Sequence, residues 1–145
     1  MIEILVVCAI VAVLISIILP RFSSIRENQV VKAAVADVLS AIDKARTETL
    51  SSLNSSPYGV HLESGRVIIF KGTVYSSSSP DNESVNIISP ANISNVTLGG
   101  VSGASGDFYF NRLSGSPNKT GTVTVSSPAF TKIITISATG MASVN

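Results

Sequence analysis

Hydrophobic and polar positions divide the chain into three stretches with different periods. From Ile2 to Leu19 nearly every residue is apolar, and Glu3 is the only charged one. After Pro20, apolar residues return every three or four positions, and beyond Leu53 they alternate in short runs separated by Gly and Ser clusters. A helix repeats every 3.6 residues and a strand every two. The order therefore predicts an α+β protein in which a long helix precedes a β domain.

The first stretch has the length of a membrane span, because a bilayer's hydrocarbon core needs roughly 20 apolar residues of helix. A carboxylate such as Glu3 on this segment is costly unless it is neutralised, so an acid within the membrane points to a function. The alternative is that Glu3 lies at the membrane edge and reaches water. We predict a transmembrane or filament-core helix over residues 1–22.

The second stretch predicts an amphipathic helix that continues the first to about Leu53, a single helix of about 50 residues. Its apolar stripe is Val31, Val35, Val38, Ile42 and Ala45, and its polar face carries Lys32, Asp37, Asp43, Lys44, Arg46 and Glu48. The spacing predicts ion pairs of Asp43 with Arg46 and of Lys44 with Glu48. Pro20 removes a backbone donor and is expected to kink or loosen the helix.

The third stretch predicts an antiparallel β domain that covers the helical stripe. Residues 58–63 alternate, Ser64-Gly65 resembles a tight turn, and the apolar run 66–70 follows, which together are the signature of a hairpin. Further strands are predicted at 84–89, 95–98, 107–112, 122–126 and 132–137. The Ser- and Gly-rich segments 76–82, 99–106 and 114–118 are predicted loops, the first two with scope for mobility.

The N-terminal third resembles the type IV pilins and pseudopilins. The resemblance lies in Ile2-Glu3-Ile4-Leu5-Val6-Val7, the aliphatic stretch after it, and Leu19-Pro20-Arg21-Phe22. Residues 33–50, 108–115, 121–125 and 132–140 look like the GspH/FimT branch of pseudopilins and minor pilins. The resemblance implies a long N-terminal helix packed on a small antiparallel β-sandwich, with a globular domain at residues 23–145. It also implies that Glu3 and Pro20 serve assembly, Glu3 by meeting the terminal amine of a neighbouring subunit.

The implied function is that of a structural subunit of a type IV pilus or type II secretion pseudopilus. Its partners would be other pilin or pseudopilin subunits, the inner-membrane assembly platform, membrane lipid before assembly, and a prepilin peptidase acting on the precursor. The chain would span the inner membrane once, with its C-terminal domain outside the cytoplasm. Arg21, Arg26 and Lys32 alone favour the opposite orientation, so a basic leader before Ile2 is expected.

Alternatives are a major pilin, a DNA-binding minor pilin for DNA uptake, and a monomeric membrane-anchored domain. A net charge of +1 offers little attraction for DNA, and we do not expect DNA as a partner. We expect no enzyme, metal or cofactor, since no catalytic or phosphate-binding motif is present. His61 is interpreted as a strand residue opposite Val60 and Leu62. Asp81 and Glu83 are interpreted as solvated loop residues and not as a calcium site. The single cysteine, Cys8, is interpreted as a small apolar residue of the span.

Overall fold

A long helix, α1, spans Ile2–Leu50 and is 49 residues long, close to the predicted length. The computed structural model describes residues 2–145, and for residues 17–24 it describes the backbone alone. The backbone of α1 stays helical through Pro20. The two ends of the helix have different surroundings: residues 2–16 are exposed, whereas the buried residues from Val31 to Ala45 belong to the hydrophobic core of the domain.

The second half of α1 buries the predicted apolar stripe. All five residues of the stripe are buried, Val38, Ile42 and Ala45 completely, and the buried residues Ala34 and Ala41 widen it. Spacings of three and four residues place all of these side chains on one side of the helix, where they face the sheets. Burial of this face is what fixes the helix to the domain.

Near the end of the helix lies Thr49, a buried residue that the sequence analysis did not single out. The Thr49 hydroxyl donates to the carbonyl of Ala45 at 2.8 Å and accepts the backbone N–H of Tyr58 at 2.9 Å. Ser52 then adopts a left-handed conformation with φ of 51°, which turns the chain into a short 3-10 turn at Leu53–Ser55. Thr49 thereby connects the last turn of the helix to the first strand.

The β domain consists of two antiparallel sheets. The first has the strand order β3-β2-β1-β6, and the second has the order β5-β4-β7-β8-β9. The strands are β1 (Tyr58–Glu63), β2 (Arg66–Lys71), β3 (Glu83–Asn86), β4 (Asn92–Leu98), β5 (Val101–Gly103), β6 (Gly106–Tyr109), β7 (Gly121–Ser126), β8 (Thr131–Ile136) and β9 (Ala142–Val144). The α+β class and the antiparallel pairing are therefore confirmed.

One hydrophobic core joins the helix to both sheets. It contains the helical stripe together with inward-facing residues of six strands, including Val60, Leu62, Phe108, Val123 and Ile134, each fully buried. The helix contacts β1 and β2 of the first sheet and β7, β8 and β9 of the second, while the sheets approach each other at β4 and β6. The predicted use of the stripe as the helix–sheet interface is confirmed.

The predicted hairpin of β1 and β2 is confirmed, with Val60 opposite Ile69 and Leu62 opposite Val67. The prediction of turn and loop structure for the glycine-rich segment 99–106 is correct at Gly99 and Gly100 but wrong for the residues that follow, because Val101–Gly103 form β5 and β6 begins at Gly106. Gly99 and Gly100 have φ of 59° and 84°, and they form a two-residue turn that brings β5 back along β4. Two consecutive residues of positive φ suit the twist of a hairpin, and glycine adopts them without steric cost.

Candidate assembly surface

The first turns of α1 form an exposed apolar surface, which we call the stem and define as residues 2–16. Every stem residue is exposed, and its large aliphatic side chains are between 46% (Val11) and 77% (Ile2) accessible. Cys8 is among the exposed residues and is not in a disulfide. Water-soluble monomers rarely expose so large a continuous apolar surface, which in proteins marks a site of contact with protein or lipid.

Of the two predicted assembly residues, Glu3 lies at the start of the stem and Pro20 lies beyond its end. Glu3 is exposed in the first turn of α1, where a carboxylate interacts favourably with the helix dipole. The side chains of residues 17–24, which include Pro20 and the end of the predicted span, lie outside the described part of the structure. Within the described residues, no helix has an apolar stretch of the length and hydropathy needed to cross a membrane.

The polar face of the helix is tied to the first sheet by an ion pair. The Lys44 ammonium donates to both Glu83 carboxylate oxygens, at 2.6 and 2.5 Å, and this hydrogen bonding raises the pKa of Lys44. Glu83 and not Glu48 is therefore the hydrogen-bonded partner of Lys44, while the nearby charge of Glu48, at the predicted helical spacing, also helps to raise the pKa of Lys44. A residue on β3 reaches Lys44 because the sheet lies beside the helix, and local helical spacing carries no information about that approach.

Arg46 likewise bonds to groups other than its predicted partner, Asp43. Its guanidinium Nε donates to the carbonyl of Gly115 at 3.2 Å, and Nη2 donates to the carbonyl of Thr139 at 3.2 Å. The side chain is half-buried and not part of a solvated face. Arg46 thus fastens two C-terminal loops to the last turns of α1. Charge-assisted hydrogen bonds of this kind are stronger than neutral ones.

His61 lies on the face of β1 that points away from the helix, as predicted. Its ring stacks on Tyr75 with centroids 3.9 Å apart, and its Nε2 lies 3.3 Å from Glu63 Oε1. Arg66 Nε donates to Glu63 Oε2 at 2.7 Å, which lowers the pKa of the Glu63 carboxyl. Tyr75 also makes an edge contact with Phe70, so this group covers the outer face of the first sheet.

The carboxylates of Asp81 and Glu83 each lie close to a lysine ammonium of the same chain. Asp81 lies 3.9 Å from the Lys71 ammonium, and Glu83 pairs with Lys44. The Asn82 amide donates to the carbonyl of Ser76 at 2.7 Å and so closes the loop before β3. Among the residues that the structure describes, no three or more His, Cys, Asp or Glu side chains are grouped as a metal site requires.

The basic residues of the domain are spread over separate surfaces. Arg66 and Lys71 face carboxylates on the first sheet. Lys132 is on β8, opposite Val125, while Lys119 precedes the other end of β7 and donates to the Asp107 carbonyl at 3.1 Å. The β7 residues nearest to Lys119 and Lys132 are Gly121 and Val125. They are four residues apart along the strand, which is roughly 13 Å at 3.3 Å per residue.

In comparisons with known proteins, no protein-family model, no curated protein and no solved structure matches this chain.

Proposed function

We propose that this chain is a structural subunit, a pseudopilin or minor pilin, of a type IV pilus or type II secretion pseudopilus. The observation that carries the proposal is the division of one helix into two environments. Residues 2–16 are exposed all round, whereas the stripe from Val31 to Ala45 is buried in the domain's own core. A single chain leaves the stem without apolar neighbours, and a bundle of such stems supplies them.

The proposal assigns the stem two successive environments. Before assembly it lies in the inner membrane, as a single-pass anchor with the β domain outside the cytoplasm. After a prepilin peptidase removes a leader, an assembly platform transfers the stem into a filament core. Glu3 is the only charged residue of the stem, and it would enter the filament core with it. In a low-dielectric core a carboxylate remains costly unless a cation meets it, and the terminal amine of a neighbouring subunit is the partner we propose.

The test is recovery of the chain in filaments. The full chain, with a leader restored, is expressed together with partner pilins, and sheared filaments are probed for it. We expect incorporation. Val7→Asp places a charge on the stem and should abolish incorporation, whereas Val74→Asp, at an exposed valine of the domain, should not.

Three results would overturn or redirect the proposal. Retention of the unmodified chain wholly in the membrane while partner pilins assemble would favour a monomeric membrane-anchored domain. Equal incorporation of the Val7→Asp and Val74→Asp variants would exclude the stem as the assembly element. If the chain is the most abundant protein of the sheared filaments, it is a major pilin.

A further inference from the structure

An exposed leucine is held in a strained conformation at the tip of a loop. Leu113 is 93% exposed and has φ of +74°, a left-handed conformation that residues with a side chain rarely adopt. The loop lies between β6 and β7, and we call residues 111–116 the tip loop. Backbone strain persists only where surrounding structure enforces it, and it concentrates at functional positions.

The tip loop is closed by its own hydrogen bonds. The Asn111 N–H donates to the Ser116 carbonyl at 2.8 Å, and the Gly115 N–H donates to the Asn111 carbonyl at 2.9 Å. Below it, Phe110 and Pro117 form a bridge, and Arg46 of the helix holds the Gly115 carbonyl. Leu113 and its neighbour Arg112 are therefore presented by an ordered loop, and binding through them loses little conformational entropy.

A mostly apolar groove lies elsewhere on the same helix. It has a volume of about 420 Å³ and is lined by Arg26, Gln29, Val30, Ala33, Ala34, Asp37 and Ile88. Ile88, from the segment between β3 and β4, is 68% exposed. Asp37 and Arg26 lie at opposite ends of the groove because eleven residues of helix, roughly 16 Å, separate them. The groove thus has an acidic end and a basic end.

We propose that the tip loop of one copy of this chain docks into the groove of a second copy. Leu113 contacts Val30 and Ile88, and Arg112 lies toward Asp37. Charge sets the direction, because the reverse orientation would bring Arg112 against Arg26. The inference rests on the proposed function and adds to it that copies of this chain lie next to one another in the filament.

The two docking surfaces occupy different positions on the molecule, so the contact is heterologous. A heterologous contact that does not close into a ring repeats into an open helical filament. The tip loop is fastened at Arg46, about 15 residues along the helix from the centre of the groove. In a bundle of parallel stems, this contact displaces successive copies by roughly 20–25 Å along the helix direction.

Cysteine cross-linking of the full chain tests the contact. In a Cys8→Ala background, a chain carrying both Leu113→Cys and Ile88→Cys is treated in the cell with a short bismaleimide. We expect a ladder of multimers. A mixture of the two single variants should stop at dimers, and each single variant alone should stay monomeric. The matched control pairs Ile88→Cys with Val74→Cys, an exposed valine outside both surfaces, and should stay monomeric.

Charge reversal provides a second readout that retains the cysteines. Arg112→Asp in the double-cysteine chain should remove the ladder, and adding Asp37→Arg should restore it, because the pair is then reversed and still complementary. Dimers from Leu113→Cys alone would mean a two-fold contact and would overturn the proposal. So would the absence of a ladder, or a ladder equal to that of the Val74→Cys control.

The outcomes separate this inference from the proposed function. Incorporation into sheared filaments without cross-linking between positions 113 and 88 overturns the docking contact and leaves the filament role intact. A specific ladder from a chain that never enters filaments supports the contact and overturns the filament role.

Discussion

At the scale of single residues, Gly140 combines a left-handed backbone with a close approach to neighbouring groups. It is buried with φ of +80°, beside the Gly115 carbonyl and the Arg46 guanidinium. A methyl group there would meet both groups and would also require a left-handed conformation that alanine disfavours. Gly140 is the last residue of the segment 132–140 that resembles the GspH/FimT branch, and close packing explains why a glycine stands there.

Gly140→Ala should lower the free energy of unfolding of residues 23–145 by about 2 kcal/mol or more, because it combines backbone strain with a steric clash. Gly65→Ala is the matched control. A methyl group at Gly65 meets nothing within 4 Å and the backbone there is not left-handed. Chemical denaturation of the two variants makes the comparison. Similar loss in both would show that the Arg46 contacts do not hold the C-terminal turn closely.

Glu3 is a second single residue with a testable role, and we expect its substitution to affect filament assembly and not the fold of the domain. Glu3→Ala should reduce incorporation into filaments, since the partner amine then lies in a low-dielectric core without a counter-charge. The β domain should fold normally, because Glu3 is exposed and far along the helix from the core. Filament recovery is compared with a thermal melt of the same protein. Normal recovery would contradict the pairing.

At the scale of elements, the central interface is the stripe of α1 on the two sheets. Val38→Asp would place an unpaired charge among completely buried residues and should destabilise residues 23–145 by at least about 3 kcal/mol. Asp37→Ala, one position away on the partly exposed side, should change stability by less than about 0.5 kcal/mol. Thermal melts decide, and equal tolerance of both changes would mean that the buried face is misassigned.

The elements that sequence reasoning found are those with a strong local period. The helical stripe has seven buried positions on one face, and the apolar runs of β1 and β2 lie on either side of a tight turn. A helical stripe and short apolar runs beside a turn are both local patterns that a sequence displays directly. Bounds elsewhere shifted by a few residues, as for the predicted 84–89 strand, observed as Glu83–Asn86.

The elements that were missed depend on distant neighbours. Strands β5 and β9 have three residues each, too few to display alternation, and they form because β4 and β8 offer open hydrogen-bonding edges. The consecutive glycines at 99 and 100 were the available signal for β5. The contacts of Arg46 and the pairing of Lys44 with Glu83 join residues at least 39 positions apart, so no local spacing predicts them.

At the scale of the whole molecule, the distribution of charge bears on the DNA-uptake alternative. The domain of residues 23–145 should bind duplex DNA weakly or not at all at physiological salt, because its basic residues are spread and several face carboxylates. A fluorescence titration at several salt concentrations measures this. Affinity tighter than about micromolar that falls steeply with salt would favour DNA uptake. Reversal of charge at Lys119 and Lys132 would then locate the site.

We propose above all that the exposed stem becomes the buried core of a filament. Cys8, the chain's one cysteine, reports on this directly because it lies on the exposed stem. Sheared filaments, free of membrane, are treated with a maleimide before and after denaturation, and a Val74→Cys chain shows that the reagent reaches the domain. We expect Cys8 to be protected in filaments and labelled once they are denatured. Equal labelling of Cys8 in intact and denatured filaments would contradict it.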